Sequence, residues 1–409
     1  MALNLTNFAP MLKTLYPKKR VENLVYADRP LLAWLPKSDT FYGENKKVPL
    51  IYGNPNGRSA TFATAQGNKT NTKSAAFLVE RVRNYQLISI DNETIEASQN
   101  DAGAFASARQ VEIDGAFQNI SNDMAADVVG TGSGSRGALA STQNVALSTV
   151  TLATPEDIVK FEVGMPLVLS DVDGGGSVRS GTMYVISVDR MAGTFVVSSS
   201  LGGSATAIST CISAAAAGDY IFVAGDYDAK MAGLQAWLPY GGPTSATFFG
   251  VDRTIDATRL AGITDDLSSY SIEEALIQGA KLMYREGQNK YDAIWLNETK
   301  YAELIMSLGA KVQYTTLQVT PEVSFQGCKF QAHNKVVTVY CDKMIPVDSA
   351  FFLTRMTWEL ASLKGAPRIL NMDTLEALRE ATSDGIEIRV GYYANTHCNA
   401  PGFNGHFKV

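Results

Sequence analysis

The 409-residue chain reads as an α+β protein, on three observations. Stretches of helical and strand period follow one another without the regular alternation that builds a parallel sheet. Residues 96–130 carry an apolar stripe at helical spacing. The run from Lys73 to Ala97 holds neither Gly nor Pro and interleaves β-branched and aromatic residues with Glu80, Arg81, Arg83 and Asn84.

Residues 1–36 form an N-terminal arm of short helical pieces broken by Pro10, Pro17, Pro30 and Pro36, with Trp34 near its end. No single apolar face runs through it, so the arm is expected to lie on something else. Residues 37–95 follow as a β-ribbon whose Gly- and Asn-rich tip leads into the Lys73–Ala97 run. Extended at about 3.3 Å per residue, that run would reach roughly 80 Å, far beyond an ordinary strand. A two-stranded ribbon projecting from the body accounts for the length. Isolated ribbons are marginal, so a partner is expected to cover it.

Residues 96–130 are predicted as a spine helix. Phe105, Arg109, Ile113, Ala116, Phe117, Ile120, Met124 and Val128 recur at three- and four-residue steps, Ser98 and Asp101 make a capping pair, and Gly130 ends the helix. Residues 131–233 change character. GTGSGSRGALASTQ reads as a linker, and VGMPLVLS, VRSGTMYVISVDR, TFVVSSS and DYIFVAGDY are short turn-bounded strands of an inserted all-β domain.

Residues 234–287 return to mixed structure, with a helix at about 271–286 opened by Ser271 and Glu274 and burying Ile272, Ala275, Leu276, Gly279 and Met283. Residues 288–370 follow with strand YDAIWL, a helix after Asn297 and a hairpin turning at His333–Asn334, in which Cys328 faces Val339. Residues 371–409 supply a short helix after Asp373 and the strand GIEIRVGYY that completes the core.

Composition and motifs exclude more than they suggest. With 41 acidic and 35 basic residues the net charge is −6, which argues against a nucleic-acid-binding surface as the main function. No apolar run approaches the roughly 20 residues of a membrane span. The first residues lack a basic stretch followed by an apolar one, so the chain is expected to be made and kept in cytoplasm. Cys211, Cys328, Cys341 and Cys398 form no CxxC pair and read as buried thiols. His333, His397 and His406 show no metal-site or nucleophile-elbow spacing. GSGSRG at 132–137 matches a dinucleotide fingerprint in letters only, because it follows a helix rather than joining a strand to one. DVDGGG at 171–176 reads as a hairpin turn, and Lys18, Lys19 and Arg20 as a solvated helix face or a set of inter-subunit salt bridges. No catalytic, cofactor-binding or metal residue is assigned.

An arm, a long ribbon and a spine helix without an active site describe a subunit that is incomplete alone. In that element order, and in the stretches NKYDAIWLNETKYAELIMSLG, GLQAWLP and FFGVDRTIDATRLAG, the chain resembles the major capsid proteins of tailed phages of the Hong Kong 97 type. The resemblance implies a fold of N-arm, extended loop (37–95), spine helix (96–130), peripheral-domain return (234–287), axial domain (288–370) and C-terminal strands (371–409), here with an inserted β domain (131–233). It implies an icosahedral head shell of pentamers and hexamers around double-stranded DNA held without sequence-specific contact, with no enzyme activity, cofactor or membrane. Its partners would be a portal protein, a separately encoded scaffolding protein and, in some shells, a decoration protein. Assembly contacts are expected at Trp34, Lys69, Lys73, Glu80, Arg81 and Arg83. An encapsulin-like compartment and a carbohydrate-binding or adhesion protein of the virion are the alternatives.

Overall fold

The computed structural model describes residues 28–97, 108–244, 246–308, 314–316, 326–332, 334–370, 377–379 and 384–409. The arm up to residue 27, the Ser98–Asp101 pair, Phe105 and His333 lie outside that set. The chain is followed from helix Pro30–Trp34, whose Leu31, Leu32 and Trp34 are buried, to β1 (Lys37–Ser38) and on to β2 (Asn45–Gly53). Trp34 meets Trp295 edge to face at 5.6 Å and is 9% exposed. The Trp34 indole, expected among the assembly contacts, packs in the core of its own chain.

The expected two-stranded ribbon is present but shorter than the Lys73–Ala97 run. β3 (Lys73–Glu80) pairs with β2 as a two-stranded ribbon, the register running from Asn45↔Glu80 outward, and the chain then changes partners at Arg81. β4 (Val82–Asp91) joins a different sheet, and Asn92–Ala97 is helical. The ribbon strand is therefore about a third of the length the residue run suggested. A strand run shows that a segment is extended but not which edge it meets, and here two partners succeed each other.

The spine helix is described over Ala108–Val129, about 33 Å at 1.5 Å per residue. Ala116, Ile120, Met124 and Val128 are buried, and Ile113 and Phe117 are half-buried against the same core, as the stripe predicts. Gly130 closes the helix, its N–H shared between the carbonyls of Ala126 and Asp127.

Six antiparallel strands drawn wholly from residues 135–223 follow: β5 (Ser135–Ala138), β6 (Thr149–Thr151), β7 (Pro166–Ser170), β8 (Met183–Asp189), β9 (Thr194–Ser198) and β10 (Tyr220–Val223). Their order is β5-β10-β7-β8-β9-β6, and they enclose a separate core built on Phe161, Leu167, Leu169, Val185, Phe195 and Ile221. Four of the strands fall where turn-bounded runs predicted them. β5 arises within the stretch read as linker.

The remaining strands build two further sheets, one of seven strands and one of six. A seven-stranded mixed sheet takes β11 (Ile263–Asp266), β12 (Ala293–Leu296), β13 (Tyr314–Thr316), β14 (Gln326–Ala332), β15 (Lys335–Cys341) and β16 (Ser349–Leu353). The second sheet takes β17 (Trp358–Ser362), β18 (Arg368–Ile369), β19 (Ala377–Arg379) and β20 (Gly385–Cys398), with β1 and β4, while β21 (Gly405–Lys408) closes the seven-stranded one. β20 pairs with β4 along one edge over ten residues and with β17, β18 and β19 along the other. The hairpin register holds as predicted, with Cys328 opposite Val339. The helix Ile272–Arg285 begins with the predicted Ser271–Glu274 capping box, and its five predicted apolar positions are all buried.

Because side chains alternate across a strand, the seven-stranded sheet serves two cores. Ile294, Leu296, Ala350 and Phe352 face the helix Ile272–Arg285. Ala293, Trp295, Phe351 and Leu353 face the other way, into the core that also holds the spine stripe and Ile388, Val390 and Tyr392 of β20. Replacing Ile120 by Ala removes a fully buried branched side chain and should cost roughly 2–5 kcal/mol. Urea unfolding of the subunit measures it; a loss below about 0.5 kcal/mol would show that the stripe does not hold the core.

Candidate assembly surface

The ribbon is rooted in the body and free at its tip. Val48, Phe77 and Val79 on its inner face are buried in the main core. Lys46 Nζ contacts Glu359 Oε1 at 2.6 Å. Glu80 accepts the side-chain amide of Asn395 through its carbonyl at 2.7 Å, and Tyr52 accepts the Arg259 guanidinium through its carbonyl. Beyond this root, residues 54–72 are nearly all exposed around the short helix Phe62–Gly67. Phe62 is 82% exposed and Ile51 66%, and Leu78 and Tyr42 are also solvent-facing.

Three of the expected contact residues come together. Glu80, Arg81 and Arg83 line one groove of about 410 Å³ with Glu44, Val82, Leu363 and Tyr393. Arg81 donates to the Phe41 carbonyl at 2.7 Å and lies over the Phe41 ring, so its guanidinium is partly committed inside the chain. Lys69 and Lys73 are exposed at the tip, away from that groove. Between Glu44 and Glu80 the ribbon holds five basic residues, Lys46, Lys47, Arg58, Lys69 and Lys73, and no acidic one. The chain's net charge is −6, so everything outside the ribbon sums to −11.

A buried ion cluster, missed by the sequence reading, joins the spine helix to the β5–β10 unit. Arg136, 3% exposed, lies 3.1 Å from Asp127 and 3.3 Å from Asp123 of the spine helix. Lys230, where the chain leaves that unit, lies 2.9 Å from Asp226 and 3.7 Å from Asp127. Burial raises the Asp127 and Asp226 carboxyls above the ordinary carboxylate range against the pull of both cations. Burial alone would lower the Arg136 guanidinium, but Asp123, Asp127 and Asp226 hold it above its usual value. Gly233 is required beside the cluster, because a Cβ there would come within 2.4 Å of the carbonyls of Asp127 and Val128. The sequence offered one signal, an arginine set among glycines and serines. Arg136→Ala leaves buried carboxylates short of a cation and should destabilise the subunit by about 3–5 kcal/mol in urea unfolding. A change under 1 kcal/mol would show that the cluster is solvated.

His397 and Cys398 sit at the end of β20. His397 Nε2 is 3.5 Å from Glu359 Oε2, and burial followed by the Lys46 charge lowers its pKa to about 4. Burial pushes the Cys398 thiol up to about 12, which keeps it protonated and unreactive. His406 is held between the Leu238 carbonyl at 2.8 Å and Ser349 Oγ at 3.1 Å. The carbonyl can only accept, so Nδ1 carries the proton and Nε2 accepts from the hydroxyl. Burial lowers its pKa to about 4 as well. Among the described residues no three His, Cys, Asp or Glu side chains are placed to hold a metal ion, and no helix is long and apolar enough to cross a membrane.

These histidines set a pH dependence. Each is neutral when folded and takes a proton near pH 6.5 when unfolded, so its contribution is complete above pH 6.5 and is lost as pH falls toward 4. The slope is about 1.4 kcal/mol per pH unit for each group. Asp127 and Asp226, with raised folded values, act in the opposite direction, so the measurement is a difference: His406→Gln should flatten the stability profile between pH 6.5 and 4. An unchanged slope would place the His406 ring in contact with water.

No protein-family model and no curated protein sequence matches the chain. Solved structures do. The chain is similar to one in the capsid asymmetric unit of Cyanophage A-1(L), with 96% of each chain covered, 11% identity and a TM-score of 0.51. It is also similar to a chain in the capsid of a native GTA particle, with 97% of this chain and 95% of that one covered, 6% identity and a TM-score of 0.50. The chain has the capsid-subunit fold. At these identities the likeness rests on the arrangement of elements, and it extends over nearly the whole capsid fold in each comparison.

Proposed function

We propose that this chain is the major capsid protein of a tailed bacteriophage, assembling as pentamers and hexamers into an icosahedral head shell around double-stranded DNA. The observation that carries the reading is the ribbon: an internally anchored root with an exposed tip, basic throughout, on a chain otherwise strongly acidic. A monomer has no use for an uncovered strand pair of this kind. A second copy offers both cover and opposite charge. The capsid-subunit fold, matched from end to end, supports the same reading.

In this proposal residues 1–36 are the arm, 37–95 the extended loop, 96–130 the spine and 131–233 an inserted β domain. Residues 234–287, 288–370 and 371–409 are the peripheral return, the axial domain and the closing strands. Lys69, Lys73, Glu80, Arg81 and Arg83 contact neighbouring copies. The shell forms in host cytoplasm and becomes part of the virion, with a portal protein and a separate scaffolding protein as partners and no catalytic step.

The decisive experiment images the purified protein. Closed shells are expected; discrete small oligomers would overturn the proposal, and shells filled with protein cargo instead of DNA would turn it toward a compartment. Weak contacts repeated around a shell accumulate, so charge at the tip is expected to matter out of proportion to any single pair. Lys69→Glu with Lys73→Glu should leave subunit melting unchanged and cut shell yield, and raising salt should weaken wild-type assembly in the same sense. Shells at wild-type yield from the double variant would remove the ribbon from the contact.

A further inference from the structure

A turn about 170 residues further along the chain docks on the root of the ribbon. Phe248 and Val251 exchange both backbone hydrogen bonds, at 2.9 and 3.0 Å, around Phe249 and Gly250. Both central residues have positive φ, +48° and +82°, the geometry of a type I′ turn. Gly adopts that region freely, but an aromatic residue there is strained and persists only where its surroundings hold it. The Phe249 carbonyl accepts the N–H of Leu78, at 3.0 Å, so the turn docks on the edge of β3.

The side chains lock the same joint. The Phe248 ring lies 6.2 Å from Phe77 of β3 and 5.0 Å from Trp237, and Phe77 itself meets Trp237 at 5.0 Å. Arg253 covers the other side of Phe248 at 4.0 Å while donating to the carbonyls of Ala236 and Trp237. Trp237 in turn donates its indole N–H to the Thr396 carbonyl of β20, at 3.0 Å. Ribbon, turn and central sheet thus meet at one aromatic cluster.

We propose that the Phe248–Val251 turn is the stop that fixes the ribbon's angle, making Phe248 and Phe249 positioning residues for contact between copies. The inference rests on the shell reading and deepens it. A nine-residue strand is about 30 Å long, so a rotation of roughly 10° at the root would carry the tip about 5 Å from its site on a neighbour. Fixing the root fixes which surface the tip can reach.

The test pairs two measurements on Phe248→Leu. In the unassembled subunit, hydrogen exchange at the Leu78 amide should be at least tenfold faster than in wild type. In assembly, particles should lose the single wild-type diameter and become heterogeneous in electron micrographs. Unchanged exchange would overturn the anchor, and fast exchange with shells of wild-type diameter and yield would overturn its role in positioning. If wild type itself forms no closed shells, the capsid reading fails first and the inference with it. Should Phe248→Leu not fold, Phe249→Ala carries the same test, because it removes the ring held against Trp237 and Phe248.

Discussion

A buried strand must satisfy its backbone hydrogen bonds on both edges, and the fourteen residues of β20 impose that demand on the rest of the chain. One edge is met by β4 along ten residues, the other by β17, β18 and β19 in succession. The pairing brings residues in the eighties against residues near the C-terminus. It also creates the apolar surface of Ile88, Ile90, Ile388, Val390 and Tyr392 that belongs to the spine helix's core. Once β4 is committed there, β3 must turn away at Arg81, and the ribbon begins where the sheet ends.

The seven-stranded sheet shares this central core on one face and keeps a second core on the other. Its four-residue strand β12 is buried at every position, because Ala293 and Trp295 serve one core and Ile294 and Leu296 the other. A strand with two dry faces reads as a continuous apolar run, as AIWL does. The β5–β10 unit is joined to this assembly differently. It has a core of its own, and its two chain crossings meet the spine helix through Arg136 and Lys230 against three carboxylates. Such a joint is costly to desolvate and costly to break, which favours one orientation over sliding.

The ribbon combines both kinds of physics. Its root is apolar and packed, fastened by Phe77 to Trp237, by side-chain donors to the carbonyls of Glu80 and Tyr52, and by the Leu78 N–H to the Phe249 carbonyl. Its tip is polar, basic and uncovered. That division suits a part whose direction is decided inside the subunit and whose stability is completed by another copy.

What was legible in the sequence was whatever depends on a few adjacent residues. The Ser271–Glu274 box, the stripe from Ala116 to Val128, the Cys328–Val339 register and the strands of the 166–223 stretch follow from side-chain period, capping and turn chemistry. The glycines, serines and lone arginine of GSGSRG looked like linker because nothing nearby shows that Arg136 meets Asp123 and Asp127 once the chain folds back. Likewise, Lys73–Asp91 shows strand period throughout, and only the folded chain could assign its first half to β2 and its second to β20. Nor does the sequence around Trp34 show that Trp295 lies beside it. Backbone preference is set by neighbours along the chain, so the sequence by itself determined the elements. The partner of a strand edge, the desolvation of a charge and the covering of an indole depend on groups tens to hundreds of residues away, so only the tertiary structure decided how those elements meet.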